Sequence, residues 1–357
     1  MTKILVIQQK MIGDVLVGSI LCETLVKAYP HAQIDYLIYE NTWPAIQENA
    51  GRYRAVFFTS KERKSKRAFL RFANNIRRER YDVIIDAYSK LESWLIVAAS
   101  GAKRKISFKK TLTNWLYTDV VVRHPEPVST LGLAIEHRLQ LLQPLGIPQE
   151  LYVTHPKINI TKQERARALL LLEQHGLGHG ERAVVVNILG SAAEKTYPAQ
   201  HMAKIIDAVA KYDVQIVFNY LPKQAGAAQE LFDLCQPETK ARIYLDVLTV
   251  DLRGFVAIMN QCRCIIGNDG GAMNMAKALD KPTFIIFSPW IEKKVWATFE
   301  DGIQHLSVHL QDFHPEWFVR KSQKELREKA ENLYARFDPA FIFPQLDAFC
   351  RQHLATR

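Results

Sequence analysis

Short runs rich in Val and Ile alternate with longer amphipathic stretches along this chain, and the alternation occurs twice. In the first half the runs are KILVIQ (3–8), QIDYLIY (33–39), AVFF (55–58) and DVIIDA (82–87). Helix-like segments lie at 14–28, 65–79, 90–100 and 132–145. In the second half the runs are RAVVVNIL (182–189), VQIVFNY (214–220), ARIYLDV (241–247), CIIG (264–267) and PTFIIF (282–287), separated by helix-like stretches at 199–211, 223–235, 252–261 and 271–279. Runs apolar on both faces predict strands covered on both sides, which means parallel sheet between helices. Two such arrays predict two doubly wound α/β domains. We place them at 1–160 and 180–335, with the join in the proline- and glycine-bearing stretch 150–180. A C-terminal helix over 336–357, with Ile342, Leu346, Phe349 and Leu354 on one face, is expected to pack back on the domains rather than dip into a membrane.

Charge sets the next constraint. The 357 residues carry 47 Lys and Arg against 37 Asp and Glu, a formal charge of +10, which favours an anionic partner. The excess is local: residues 61–80, KERKSKRAFLRFANNIRRER, hold nine basic and two acidic side chains, and KRKISFKK (103–110) adds five basic ones. Five cysteines (Cys22, Cys235, Cys262, Cys264 and Cys350) show no CxxC spacing and are read as buried free thiols in a reducing compartment, with Cys262 and Cys264 on one strand face. The N-terminal apolar run is too short for a signal peptide and no run reaches about 18 apolar residues, so a cytoplasmic location is expected.

In open α/β sheets ligands collect beyond the carboxyl ends of strands, so chemistry is expected in the loops there. After strand 3–8, QQKMIGDVLVG puts Asp14 in the first turn of a helix, either as a cap or as a general base. In NILGSAAEKTYP (187–198) a glycine, Ser191 and Lys195 precede a helix, a pattern that suits a phosphate and suits a solvated loop as well. In IIGNDGGAMNMAKALDKPTFIIF (265–287), Asp269, Gly270 and Gly271 lie at a helix start, where bare amides and the helix dipole favour an anion. Neither GxGxxG nor GxxxxGK[ST] occurs, which weighs against dinucleotide oxidoreductases and P-loop enzymes. The basic run 61–80 is either a solvated face or an anion-binding one. His305, His309 and His314 with Asp312 offer a weak metal pattern, and QHLSVHL reads better as a half-buried strand with its polar residues outward.

These motifs, in this order, resemble glycosyltransferase family 9, the heptosyltransferases of lipopolysaccharide core assembly. The likeness covers roughly residues 3–300: the opening ILVIQQKMIGDVLVGSIL, the loop NILGSAAEKTYP, and IIGNDGGAMNMAKALDKPTFIIFSPW, similar to the signature D-[ST]-G-x-x-H-x-A-x-A-L-x-K-P. The resemblance implies a GT-B fold, two Rossmann-like domains with parallel sheets facing a central cleft, acceptor on the first and donor on the second. It implies metal-independent, inverting sugar transfer with no cofactor beyond a nucleotide-sugar co-substrate, here ADP-heptose. Asp14 takes the role of base, Ser191, Lys195 and Asn274 contact the donor diphosphate, the amides of Gly270 and Gly271 form its cradle, and Asp269 orients those amides or accepts from a donor hydroxyl.

The chain departs from the signature at Gly270, where the family has a small hydroxyl residue, and at Asn274, where it has histidine. Ser288 replaces the usual glycine, and LPKQAGAAQE lacks an early acidic residue for the nucleotide ribose. These changes leave another nucleotide-sugar donor, or a catalytically degenerate member, as alternatives. The expected partners are a nucleotide sugar, an anionic glycolipid acceptor of Kdo–lipid A type and the inner-membrane surface. Lys61, Arg63, Lys64, Arg67 and Arg71 are the acceptor-side cations. Nucleic acid is not an expected partner, since no RNP-like or helix-turn-helix pattern accompanies the charge.

Overall fold

The computed structural model describes residues 1–49 and 51–355. It divides into two units, Met1–Asn159 and Ile160–Arg357, each built on its own six-stranded parallel sheet. In the first unit the strands are β1 (Lys3–Ile7), β2 (Gln33–Tyr39), β3 (Arg54–Phe58), β4 (Val83–Asp86), β5 (Arg104–Phe108) and β6 (Asp119–Val121), in the order β3-β2-β1-β4-β5-β6. The helices are α1 (Ile12–Ala28), α2 (Ser60–Lys64), α3 (Lys66–Glu79), α4 (Leu91–Ala99) and α5 (Leu133–Gln140). The order reverses at β1, so crossovers of the usual right hand would put α1 on one face and α3 and α4 on the other. Accordingly α1 packs with α5, and α3 with α4.

Several sequence expectations change here. The helix expected over 65–79 forms as α3 with Ser65 as its cap, and a short unexpected helix, α2, with a capping box of Thr59 and Glu62, precedes it. The helix expected to reach 145 is α-helical only to Gln140; the chain continues as a 3-10 turn over Gln143–Leu145, where Pro144 has no amide to donate to an α-helical bond. KRKISFKK is more than a charge cluster: it contains β5. Ile106, Ser107 and Phe108 are buried, while Arg104 at the strand entrance pairs with Asp119 of β6 at 3.1 Å. Charges at a strand end reach solvent, so they mask its periodicity.

In the second unit the strands are β7 (Ala183–Asn187), β8 (Gln215–Asn219), β9 (Ile243–Tyr244), β10 (Cys264–Asn268), β11 (Thr283–Ile286) and β12 (His305–Val308), in the order β12-β11-β10-β7-β8-β9. Its helices include α6 (Lys162–Gln174), α7 (Ala199–Ala210), α8 (Ala225–Leu234), α9 (Pro237–Lys240), α10 (Leu252–Gln261), α11 (Gly271–Ala278) and the C-terminal helix Pro339–His353. The stretch read as a join holds α6, capped by Thr161 and Glu164 and packed on α10. Only Ala168 and Leu172 of α6 are buried, too few for a clear stripe. Instead Glu164 receives both Nε and Nη2 of Arg253, at 2.7 and 2.6 Å.

Two further readings are corrected. Cys262 closes α10 and only Cys264 lies in a strand; all five cysteines are buried and free. Strand β12 forms where expected, but its polar residues point inward. His305, Ser307 and His309 are buried while Leu306 is half-buried. Hydrogen-bond partners explain the inversion: buried Thr283 Oγ1 meets His305 Nδ1 at 3.0 Å, and half-buried Glu300 accepts from Ser307. The C-terminal helix packs on α7, with Ile342, Leu346 and Phe349 in the second unit's core.

Candidate active site

Both candidate loops leave the carboxyl ends of central strands. In the first unit β1 runs through two buried glutamines into α1, which places Asp14 in the helix's first turn. Its Oδ2 accepts from the Met11 amide at 3.3 Å, so Asp14 is a cap. Its Oδ1 accepts from Arg138 Nη2 of α5 at 2.8 Å, and its side chain stays 28% exposed, so a face of the carboxylate remains open. Arg138 is itself buried and held by the Ala134 carbonyl at 2.6 Å. Capping and catalysis therefore do not compete: the bonds that cap the helix also fix the carboxylate's direction. The sequence reading passed over Gln9, which is fully buried beside this turn, with neither amide atom partnered among the described residues. Its signal was an amide pair, Gln8-Gln9, closing an otherwise apolar strand.

Cations gather along the same sheet edge, several seated on aromatic faces. Lys10 and Arg63 lie 5.9 and 4.5 Å from the Tyr39 ring centre, and the Tyr39 hydroxyl donates to Glu92 at 2.6 Å. Arg123 lies 3.7 Å from the Phe108 ring, and Lys110 donates to the Ser89 carbonyl at 2.5 Å. Burial, then Lys90 and Arg123, push the Lys110 ammonium pKa down. Of the five acceptor-side cations named from sequence, Arg63 reaches this edge. Lys61, Lys64, Arg67 and Arg71 are exposed on α2 and α3. Lys110 belongs to the KRKISFKK cluster; Lys10, Arg123 and Arg138 were not singled out, because residues after different strands and on α5 become neighbours only through the sheet order.

The second unit's edge is built from amides. Asn219 donates to Asn187 Oδ1 (2.8 Å), Asn187 donates to the Asn268 carbonyl (2.7 Å), and Asn268 returns a bond to the Asn187 carbonyl (3.0 Å). Asn268 also accepts from the Tyr197 amide at 2.7 Å, tying the loop after β7 to the start of α11. Gly267 makes this closeness possible: at φ +128°, a Cβ there would meet the Asn187 carbonyl oxygen at 2.5 Å. Gly190 is needed because the loop turns back on Lys195, whose carbonyl a Cβ would strike at 2.2 Å. Gly270 differs: its backbone is extended, and a Cβ would touch only the Asn187 amide at 3.8 Å.

Lys195 lies 5.1 Å from the Trp290 ring, on which Arg327 also sits at 5.1 Å; Arg327 pairs with Glu194 at 2.6 Å. Ser191 is exposed on the same loop. Burial raises the Asp269 carboxyl pKa, against the pull of Lys195 and Lys277. Lys195 and Asp269 are thus electrostatic neighbours. The Asp269 amide is used by the Ile286 carbonyl at 3.2 Å, whereas the Gly271 and Ala272 amides have no protein acceptor among the described residues. Asn274 donates back to the Gly270 carbonyl at 3.4 Å. The weak metal pattern disperses: His305 meets Thr283, His309 accepts from the Gln311 amide, and His314 stacks on Trp317.

Two doubly wound units, with a carboxylate at one sheet edge and free helix-start amides beside a lysine at the other, define the GT-B class of glycosyltransferase. The model of glycosyltransferase family 9 (heptosyltransferase) matches residues 69–316, and the chain belongs to that family. It is a glycosyltransferase. Lipopolysaccharide heptosyltransferase 3 of Escherichia coli is 23% identical over 300 residues, covering 80% of this chain and 86% of the relative. Among solved structures, a glycosyltransferase of family 9 from Veillonella parvula DSM 2008 superimposes with TM-score 0.74 at 19% identity, covering 97% of this chain and 98% of that one. E. coli ADP-heptose lps heptosyltransferase II gives 0.68 at 18% identity, covering 98% and 99%.

Proposed function

We propose that this enzyme transfers a sugar, with inversion and without a metal, from a nucleotide sugar to an anionic inner-core glycolipid. ADP-heptose is the donor we infer and a Kdo–lipid A-like molecule the acceptor, met at the cytoplasmic face of the inner membrane. The observation that carries the reading is Asp14, aimed by Arg138 and the Met11 amide yet still open to solvent. Asp14 takes the acceptor hydroxyl's proton as that oxygen bonds the anomeric carbon. The sugar–phosphate bond breaks with its electron pair going to the diphosphate. Lys195 and the free amides of Gly271 and Ala272 stabilise that leaving charge, with Ser191 on the same loop supporting its contacts. Membership of family 9, a heptosyltransferase family, supports the heptosyl donor.

A different nucleotide sugar is the second reading. Asn274 spends its amide on its own helix, and the loop after β8 begins without a carboxylate for the ribose. Transfer measured across a panel of nucleotide sugars with Kdo-bearing lipid A decides between them, ADP-heptose being the expected winner. In the same assay Asp14→Asn is expected to lower kcat by about 10²–10⁴-fold with donor binding kept. A variant with wild-type kcat would remove Asp14 as the base.

A further inference from the structure

The face of the first unit that carries α3 and α4 ends in a turn over residues 109–117, between β5 and β6. The turn is well tied. Lys110 holds the Ser89 carbonyl and its amide donates to Asn114 Oδ1 at 2.8 Å; the Thr113 amide returns to the Lys110 carbonyl at 3.1 Å. Leu116 and Tyr117 are buried in the core shared with Ile96 and Val97 of α4. Yet the two large apolar side chains between these anchors face water: Leu112 is 83% exposed and Trp115 82%. An ordered turn that displays a tryptophan and a leucine is not explained by folding, because burying neither contributes to the core.

The surroundings continue the pattern. Leu91 and Leu95, four residues apart on α4, share one exposed stripe, and the turn packs on that helix. On α3, next to α4, Leu70 is exposed on the same stripe as Arg67 and Arg71. Lys90 and Lys109 are exposed at the ends of β4 and β5. This is apolar side chains rimmed by uncompensated basic ones. A protein partner's interface core is depleted in lysine, whereas an anionic bilayer takes aromatic and aliphatic groups into its headgroup zone and pairs with the surrounding basic charge.

We propose that this face docks the enzyme on an anionic phospholipid surface, with Trp115 and Leu112 entering the interface and Leu91, Leu95 and Leu70 lying along it. The turn leaves the same sheet edge as Asp14, so docking brings that edge to the membrane. The use made of this orientation rests on the glycolipid-acceptor reading, but the binding itself does not.

The test is flotation of the full chain, without donor or acceptor, on phosphatidylcholine vesicles with and without phosphatidylglycerol. The wild type is expected to float with the anionic vesicles, less so at high salt. Leu112→Ser with Trp115→Ser is expected to cut the partition coefficient about tenfold, with an unchanged melting temperature. Val250→Ser, an exposed residue of the second unit, is expected to change nothing. Equal flotation of the double variant and wild type would overturn the proposal. So would a change from dimer to monomer on sedimentation with vesicle binding untouched, which would make the patch a self-association surface. Transfer to a lipid-free acceptor separates the two readings: it is expected to survive in the double variant, and its absence in a wild type that still floats would sink the sugar-transfer reading alone.

Discussion

The two units share a strand order pivoting on a central β1 or β7, yet their carboxyl edges are made of different materials. The first edge is side chains: Asp14 on Arg138, Arg63 and Lys10 on Tyr39, Arg123 on Phe108. The second is largely backbone: an asparagine ladder, a left-handed Gly267, and helix-start amides with one lysine on Trp290. Side-chain cations can reach scattered charges of a large ligand. Fixed amides, which cost little to reorganise, suit one compact anion whose charge grows during reaction. The same fold thus supplies a broad positive surface in one copy and a narrow cradle in the other.

The sharpest way to break the comparison is Gly267→Ala. Both the positive φ and the 2.5 Å approach to the Asn187 carbonyl are violated. We expect a loss of about 3 kcal/mol in chemical denaturation, confined to the second unit's transition. No loss would mean the ladder is not what holds that edge.

Next in size is acid sensitivity, which separates the units by sign. Burial holds the His309 imidazole pKa down to about 4, below its ordinary 6.5. The unfolded chain therefore takes its proton first, so stability is full above about pH 6.5 and falls as pH drops toward 4. From pH 7 to 5 the expected loss from this group is about 2 kcal/mol by urea titration, and His309→Gln should flatten it. In the first unit burial moves Asp86 the other way, raising its carboxyl pKa, although Ser89, Ser93 and Tyr117 all donate to it. Its folded pKa lies above the unfolded one, so Asp86 favours folding as pH falls. Asp86→Asn should therefore steepen the acid loss of the first unit rather than relieve it.

A smaller effect is expected at Lys195. Lys195→Met should raise the donor KM about tenfold while the acceptor KM stays put, since the cradle amides remain. Equal changes in both constants would contradict the division of labour between the edges. The smallest effect is Gly270→Ser, which restores the family's hydroxyl at an extended backbone position with room for a Cβ. A stability change within about 0.5 kcal/mol is expected by thermal melt. A large loss would show that Gly270, like Gly267, serves the fold.

Much of this was readable along the chain. Strands buried on both faces announce themselves as unbroken apolar runs, so nine of the twelve were placed from those runs and β12 from its alternation. Asp14, Lys195 and the Asp269–Gly271 turn stand out as candidates because loops after such strands are where ligands collect. The unread parts have common physical causes. Strand β6 is three residues long at the sheet margin, and β5 enters through charged residues. Helix α6 is held by the Glu164–Arg253 pair more than by an apolar stripe.

By itself the sequence determined two parallel αβ arrays, their loops, and a family whose motifs occur in order, because burial pattern and turn chemistry are local. Only the tertiary structure decided which glycines the packing requires: Gly267 and Gly190, rather than Gly270 of the adjacent pair that stands out in the sequence. It also decided which cations stand with Asp14. Arg138 is 124 residues away along the chain, and such distant pairs are set by strand order and crossover hand, which no local pattern records.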